Sequence, residues 1–223
     1  MKPFIDSRGF DLAPHFASKP TIDFPSGSLV LDNARAGQSV MLVERGLVKV
    51  TTLNPNGAER MPFYKTQGAL LGDTPLFGDT DRLPQGVRIV AVTQVRVREM
   101  EREDLLRVCR KSPEFALALL ERAHRKIENL IEQLEVATFQ HTTAQVAGLL
   151  HALWQEMNSG RAEHGDLLRL THQEIATSTG RSRVSVTYAV NRLRDAGAIT
   201  LHRGRIEVLA PHLLDRASSP GCE

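Results

Sequence analysis

The sequence has little of what marks a secreted or membrane-spanning protein. Its 223 residues include two cysteines, Cys109 and Cys222, which are too few for a disulfide framework and are typical of a reducing compartment. No apolar run approaches the ~20 residues that a membrane-spanning helix needs, and the opening sequence MKPFIDSRGFDLAPHF contains no signal-peptide core. We therefore expect a cytoplasmic protein without a membrane partner.

The sequence also lacks the motifs of enzymes and metal proteins. The eight histidines show no HxxxH spacing and no cluster with cysteine, so we predict no dedicated metal site. The cysteine count excludes a four-cysteine iron–sulfur cluster, whereas haem stays open because His15 and His124 are present without a diagnostic spacing. The sequence shows no P-loop and no paired nucleophile and base. We expect a protein that is not an enzyme and requires no cofactor.

Residues 167–209 have the pattern of a winged helix–turn–helix, a module that places one helix in the major groove of DNA. Thr171 and Glu174 form a predicted capping box at the start of the first helix. Gly180 marks the turn, because glycine adopts a positive φ without strain. Ser182 then caps a second helix, whose apolar residues recur at helical spacing and whose other face is rich in arginine.

A predicted hairpin and a surplus of arginine complete the module. The strands Ile199–His202 and Arg205–Leu209 form the wing. Residues 167–205 carry seven arginines and two carboxylates, a net charge of +5, whereas the whole chain has a formal net charge of +2. A basic face confined to one module indicates binding to double-stranded DNA. Arginine suits that role because it binds phosphate or guanine in bidentate fashion.

The residues between 20 and 100 have the pattern of β structure. Short apolar stretches alternate with turn sequences, such as the run Asn-Pro-Asn-Gly at 54–57. The stretches are Ser28–Leu31, Val40–Val43, Leu47–Leu53, Met61–Tyr64, Ala69–Leu71, Val87–Val92 and Gln94–Glu99. Many short strands at this spacing predict an antiparallel β-roll of the barrel or jelly-roll kind.

A long helix is predicted after the β structure. Ser112 and Pro113 supply its N-cap and first residue, and the apolar pattern continues to about residue 138. Apolar residues recur along it every seven positions, which is typical of a coiled-coil seam. The predicted seam contains Leu120, Ala123, Ile127, Leu130 and Leu134. Such a stripe can pack on its own domain, but beside a DNA-binding module it favours a homodimer.

These patterns predict an α+β protein with three parts. Residues 1–111 form an antiparallel β-roll of the jelly-roll type, residues 112–138 a dimerisation helix, and residues 139–223 a winged helix–turn–helix domain, supported by a helix at about Thr142–Met157. The expected function is that of a homodimeric, sequence-specific transcription regulator, which binds two half-sites related by two-fold symmetry.

The order of β-roll, long helix and winged helix resembles the family of the cyclic-AMP receptor protein and the fumarate–nitrate reduction regulator. The resemblance covers about residues 20–210 and is most specific in the segments THQEIA, GRSR and ITLHRGRIEV. It implies homodimers in which a small signal in the roll reorients two recognition helices through the long helix. It also implies RNA polymerase as a partner if the protein is an activator.

The resemblance assigns DNA contacts to single residues of the module. The base-contacting residues are Arg183, Val184, Thr187 and Tyr188, and the phosphate-contacting residues are Thr171, Gln173, Arg181, Ser182, Ser185, Arg203 and Arg205. Arg183 matches the position that contacts guanine. Val184 stands where many members have a glutamate that reads cytosine, and it can touch a thymine methyl instead. Because Tyr188 replaces a common arginine, we expect a preferred sequence that differs from the usual one.

The expected effector pocket departs from the pattern of cyclic-nucleotide binders in this family. Gly72 and Asp73 stand for the family's glycine–glutamate pair, but the later arginine–hydroxyl pair is reduced to Arg82 followed by Leu83. The next residue is a proline, which has no N–H to offer a phosphate. Asn129 aligns with a hydroxyl residue that contacts adenine. We therefore expect an effector other than cyclic AMP, or none.

Two other interpretations stay open. One is a cyclic-nucleotide-responsive regulator whose pocket has a degenerate sequence. The other is a ligand-binding module that regulates a partner protein and uses the winged helix as its docking surface. Absent or salt-insensitive DNA binding would favour the docking module, because binding to duplex DNA weakens steeply as salt rises.

Overall fold

A computed structural model of the protein describes residues 4–6, 12–32, 37–53, 56–57, 59–74, 86–158 and 167–219. Contacts divide the chain into two compact units, Asp6–Glu128 and Asn129–Glu223, the second of which also takes in Met1–Ile5. The boundary between the units lies inside a single long helix, and the division at residues 111 and 138 stays a prediction. Among the described residues, no helix is both long enough and apolar enough to cross a membrane.

The β structure expected between residues 20 and 100 is confirmed. The strands are β1 (Ile5–Asp6), β2 (Thr21–Phe24), β3 (Leu29–Asp32), β4 (Ser39–Arg45), β5 (Val48–Leu53), β6 (Glu59–Lys65), β7 (Leu70–Leu71), β8 (Arg88–Ala91) and β9 (Val95–Glu101). They form a five-stranded sheet in the order β1-β6-β5-β8-β3 and a four-stranded sheet in the order β2-β9-β4-β7. The pairs that join strands β2–β9 are antiparallel. Each of the seven predicted stretches overlaps one of the strands β3–β9.

The two sheets enclose the main core of this unit. Val30, Val48 and Ile89 face inward from the five-stranded sheet, and Met41 and Val97 face them from the four-stranded sheet. All five side chains are buried. Removing their apolar surface from water drives the two sheets together, at about 25 cal/mol for each Å² buried.

The four-stranded sheet is covered on its other face by helices. These are α1 (Ala13–Phe16), α2 (Arg102–Lys111) and the start of α3 (Pro113–Phe139). Val40 and Leu42 of β4 pack there against Phe16, Leu105 and Phe115. Strand β4 therefore reads as a continuous apolar run, since a strand buried on both faces has no polar alternation.

The second unit contains the predicted winged helix–turn–helix, which is confirmed. Its elements are α4 (Thr142–Asn158), β10 (Leu167–Leu168), α5 (His172–Thr179), α6 (Arg183–Asp195), β11 (Ile199–His202), β12 (Arg205–Val208) and α7 (Pro211–Ser218). The strands form a sheet in the order β10-β12-β11. Helix α4 packs against α5, α6 and α7. The buried residues Leu149, Leu150, Val186 and Val190 lie in this core, which fixes the orientation of α6.

Candidate nucleic-acid interface

The first helix of the module begins with the predicted capping box. The hydroxyl of Thr171 accepts a hydrogen bond from the backbone N–H of Glu174 (3.2 Å), and the N–H of Thr171 donates to the Glu174 carboxylate (3.0 Å). Gly180 follows the helix with φ 67° and ψ 21° and donates its N–H to the carbonyl of Ala176. A side chain would strain this left-handed conformation, so glycine makes the sharp turn between α5 and α6 possible.

Helix α6 separates an apolar inner face from an exposed outer face. Ser182 caps it by accepting a hydrogen bond from the N–H of Ser185 (3.1 Å). The inner face consists of buried Val186, Ala189, Val190 and Leu193. Arg183 is exposed, as are Val184 (81%) and Tyr188 (67%). A guanidinium, an apolar side chain and an aromatic ring with a hydroxyl therefore lie side by side on a surface that is free to meet base edges.

Thr187, the fourth predicted base-contacting residue, is half-buried. Its hydroxyl donates to the carbonyl of Arg183 (2.9 Å) and lies 3.0 Å from Nδ1 of His172. The hydroxyl thereby links the first turn of α5 to α6. A direct role for Thr187 in reading bases stays a prediction.

Arg181, one of the predicted phosphate-contacting residues, makes hydrogen bonds within its own unit. Its Nε donates to the side-chain oxygen of Gln145 (3.1 Å), and its Nη2 donates to the carbonyls of Ala137 (2.8 Å) and Gln140 (3.1 Å). The side chain therefore binds acceptors of its own unit, and a phosphate contact by Arg181 stays a prediction. Arg181 belongs to the turn and precedes the first residue of α6. The helical spacing of α6 therefore does not predict the direction of its side chain.

Five of the module's seven arginines are exposed and make no side-chain contact with a carboxylate among the described residues. They are Arg169, Arg183, Arg192, Arg203 and Arg205. Arg194 instead pairs with Asp195 (2.8 Å). Uncompensated like charges on one module repel each other, and a polyanion relieves that repulsion. Five of the seven arginine charges expected from the sequence are thus exposed and unpaired among the described residues, whereas Arg181 and Arg194 have acceptors within the module's unit.

The predicted phosphate-contacting residues outside the arginines lie near the helix starts. Thr171, Gln173 and Ser182 are exposed, and Ser185 is half-buried. Backbone and hydroxyl donors at helix amino ends suit phosphate oxygens. On the wing, Gly204 has φ 70° between the two exposed arginines of the hairpin.

Helix α3 carries an exposed apolar stripe. Leu120, Ile127 and Leu134 are 66%, 54% and 68% exposed in the single chain, and Leu130 is 45% exposed. Ala123, the remaining member of the predicted seam, is exposed as well. Apolar side chains this large and this regular indicate an interaction surface rather than a solvated helix.

The residues expected to form an effector pocket do not all lie in one described part of the structure. The carboxylate of Asp73 is 3.8 Å from the ammonium groups of both Lys65 and Lys126. Burial raises the pKa of Asp73, but the two ammonium groups lower it further, so that the pKa lies below its usual value. Arg82 lies outside the described residues, and Asn129 belongs to the other compact unit.

Gly72, which precedes Asp73, cannot be replaced without movement of its neighbours. It has φ 75°, and a Cβ added there would lie 2.9 Å from the carbonyl oxygen of Ser39. The ammonium of Lys65 also donates to the carbonyl of Leu70 (2.7 Å) although Lys65 is almost fully buried. The close backbone approach and the buried cation together make this part of the roll tightly packed around Asp73.

The remaining candidate ligands have other contacts in the described part of the chain. No group of three or more histidine, cysteine, aspartate or glutamate side chains could hold a metal ion there. The ring of His15 packs on that of Phe115 at 4.6 Å, and His124 lies 3.4 Å from Glu128. Burial raises the pKa of the Cys109 thiol, which therefore stays protonated and poorly reactive at neutral pH.

Comparisons with known protein families match both halves of the chain. The Crp-like helix-turn-helix domain matches residues 144–217, and the cyclic nucleotide-binding domain matches residues 21–112. Similar proteins include the cyclic AMP receptor protein of Thermus thermophilus, 29% identical over 86% of this chain and 85% of that protein. A CRP-like cAMP-activated global transcriptional regulator of Mycobacterium tuberculosis is 27% identical over 81% and 80% of the two chains.

Solved structures show the same fold. A transcriptional regulator of the CRP/FNR family from Thermus thermophilus aligns with a TM-score of 0.72 and 22% identity over 89% of this chain and 98% of that chain. The c-di-GMP responsive global regulator CLP of Xanthomonas campestris aligns with a TM-score of 0.70 and 18% identity over 89% and 97% of the two chains.

Proposed function

This chain belongs to the CRP/FNR family of transcription regulators, and from that membership we propose that it acts as a homodimer on a two-fold-symmetric promoter site without requiring cyclic AMP. The observation that carries this proposal is the outer face of α6, where Arg183, Val184 and Tyr188 are exposed beside arginines that have no partner in the described protein. Their chemistry fits the major groove and the phosphates on either side of it.

The exposed face of α6 supports a specific reading of bases. Arg183 has the geometry to bind N7 and O6 of guanine in bidentate fashion. Val184 offers an apolar contact for a thymine methyl, and Tyr188 offers a ring and a hydroxyl. Arg203 and Arg205 on the wing, together with the donors at the starts of α5 and α6, supply sequence-independent phosphate contacts.

The stripe on α3 supports a dimer. Leu120, Ile127 and Leu134 repeat every seven residues and are more than half exposed, which suits packing against the same stripe of a second copy. A two-fold dimer presents two recognition helices to half-sites about one helical turn, ~34 Å, apart. A promoter site with that symmetry follows from the symmetry of the protein.

The ion pairs of Asp73 support independence from cyclic AMP. The family resemblance implies that a glutamate at the position of Asp73 holds a ribose hydroxyl of the nucleotide. Here the shorter carboxylate is shared between Lys65 and Lys126 at 3.8 Å from each, so a nucleotide would have to compete with two ammonium groups for it. Lys126 belongs to α3 and also donates to the hydroxyl of Thr74 (2.5 Å), which ties the helix to this part of the roll.

The test is selection of genomic DNA fragments with the purified protein, followed by titration of the enriched sequence with and without cyclic AMP. We expect one two-fold-symmetric motif, an affinity that is the same with nucleotide, and a steep loss of affinity between low and physiological salt. Binding that needs cyclic AMP would contradict independence from the nucleotide. An enriched motif without two-fold symmetry would contradict the dimer.

A cyclic-nucleotide-responsive regulator is the second candidate function. The match of residues 21–112 to the cyclic nucleotide-binding domain favours it. The same titration decides between the two candidates, because a responsive regulator gains affinity for its DNA when the nucleotide is added. If the purified protein binds no DNA in either condition, the winged helix would instead be a docking surface for a partner protein.

A further inference from the structure

The end of α3 is closed by side chains from elsewhere in its unit rather than by a glycine. The carbonyl groups of a last helical turn have no partner within the helix and need outside donors. The side-chain amide of Gln145, in α4, donates to the carbonyls of Val136 (2.8 Å) and Gln140 (3.0 Å). Gln145 is almost fully buried, so these hydrogen bonds do not exchange freely with water.

Arg181 supplies the remaining donors at the same corner. It donates to the carbonyls of Ala137 and Gln140 with Nη2 and to the side-chain oxygen of Gln145 with Nε. A planar guanidinium suits three acceptors in such an arrangement, whereas a lysine ammonium cannot match the fork. The positive charge also lies at the carboxyl end of a helix, where the helix dipole favours a cation.

The backbone at Arg181 leads directly into the recognition helix. Its N–H donates to the carbonyl of Ala176 in α5 (3.2 Å), the next residue is the N-cap Ser182, and α6 begins at Arg183. A single residue thus joins the end of α3, the side chain of Gln145 and the start of α6.

We infer that Arg181 is a positioning residue that fixes the recognition helix to the end of α3 and thereby sets the half-site spacing that the dimer accepts. The inference rests on the proposed function, since spacing has meaning only for a dimer on two half-sites. The dimer stripe lies on α3, so a rigid joint at its end holds each α6 at a fixed distance from the two-fold axis. When the joint loosens, each helix still reads its own half-site but the distance between the helices varies.

This role differs measurably from that of a phosphate contact. Loss of a cation that contacts a phosphate lowers the slope of log affinity against log salt by about 1. Loss of an inward-pointing cation leaves that slope unchanged. Arg203, exposed on the wing, is the matched control, because it has the same charge without contacts to α3 or α4 among the described residues.

The experiment compares wild type with Arg181→Ala, Arg181→Lys and Arg203→Ala on DNA in which the spacer between the selected half-sites is shortened or lengthened by one and two base pairs. For Arg181→Ala we expect about a threefold to thirtyfold loss on the native spacer, a smaller loss on the altered spacers, an unchanged salt slope and unchanged binding to a single half-site. Arg181→Lys should restore part of the preference. A wild-type spacer preference in Arg181→Ala, or a salt slope lowered by about 1, would overturn the inference.

Amide hydrogen exchange without DNA provides a second readout. We expect faster exchange at the amides of Gln140 and Gln145 in Arg181→Ala and in Arg181→Lys, but not in Arg203→Ala, because the carbonyl acceptors around the corner lose donors only in the first two variants. Unchanged exchange would contradict the joint even if wild type bound no DNA. If wild type binds no paired half-sites while exchange changes as expected, the proposed function fails and the joint stands.

Discussion

Two groups of basic residues, one on the helix–turn–helix and one around Asp73 of the β-roll, differ in whether they have partners within the protein. In the module, five arginines are exposed without a carboxylate partner among the described residues. In the roll, Lys65 and Lys126 share the carboxylate of Asp73, and Arg122 donates to the carbonyl of Gly68. The five exposed arginines are available to an acceptor from outside the chain, whereas Lys65, Lys126 and Arg122 have acceptors within their own unit.

This difference shows when a basic residue indicates a ligand-binding site. An ion removed from water is expensive unless it is paired, so buried cations such as Lys65 are found with their partners. An exposed arginine is hydrated at little cost and can exchange that water for a phosphate. Basic residues therefore indicate a ligand when they are exposed, clustered and unpaired, and indicate internal structure when they are buried with an acceptor.

The largest expected effect comes from removing the guanidinium that faces the bases. Arg183→Ala should weaken binding to the selected site by about 1–3 kcal/mol and relax the preference at one base position, because the bidentate contact with guanine is lost. Fluorescence anisotropy on the selected site and on its single-base variants measures both effects. Arg194→Ala is the control, since Arg194 already pairs with Asp195. Wild-type binding to every variant site would place the reading face elsewhere.

A second effect is expected in the roll, on stability rather than on DNA affinity. Asp73→Asn should lower the free energy of unfolding by about 1–3 kcal/mol, because it removes the charge of one partner of the buried Lys65 ammonium, and should leave DNA affinity unchanged. Denaturant unfolding and DNA titration measure the two effects. Asp104→Asn removes partly exposed pairs with Lys19 (2.6 Å) and Arg107 (2.5 Å) and should cost at most about 1 kcal/mol. A loss of DNA affinity in Asp73→Asn would show that the two regions are coupled.

The same carboxylate predicts a dependence on pH. Because the pKa of Asp73 is lowered in the folded protein, its contribution to stability is fully present above the unfolded value of about 3.9 and disappears as the pH falls through the folded pKa. Wild type and Asp73→Asn should therefore differ in unfolding free energy at neutral pH and converge in strong acid. A difference that stays constant down to the lowest pH would exclude the ion pairs as its cause.

The sequence predicted the module better than it predicted the roll's interior. The capping box, the turn glycine and the spacing of apolar residues in α6 depend on neighbours in the chain, so they can be recognised without tertiary structure. Lys65, Lys126 and Asp73 are far apart in sequence, and only the packing of α3 on the roll brings them together. No local pattern distinguishes such a cluster from three surface charges.

Arg181 shows the same limit within the module. Its guanidinium group and its position in a basic segment favour a phosphate contact, since the rest of that segment has the pattern of a DNA-binding surface. Its actual acceptors, the carbonyls of Ala137 and Gln140, are backbone groups more than forty residues away. Backbone carbonyl acceptors cannot be recognised from residue types. The end of α3 also lacks the glycine that commonly marks the C-terminus of a helix.

A smaller effect is expected where the module is held by local contacts alone. Thr171→Ala removes the hydroxyl that caps α5 and should lower the stability of the second unit by about 1 kcal/mol. Thr171→Ser keeps the hydroxyl and should restore most of it. Hydrogen exchange in α5 reports the change without DNA. If the serine variant were as unstable as the alanine variant, the methyl group rather than the cap would be the stabilising feature.

The smallest effect is expected at Arg203, where the charge can be tested separately from the geometry of base contacts. Arg203→Ala on the wing should weaken binding to all sequences by a similar factor of a few-fold, and should lower the slope of log affinity against log salt by about 1. Arg203→Lys should leave the slope unchanged, because the number of positive charges at the phosphate stays the same. Titrations at three or more salt concentrations, on the selected site and on unrelated DNA, measure the slope. If Arg203→Ala weakened only the selected site, the wing would read bases, and Arg203 could no longer be treated as a phosphate contact.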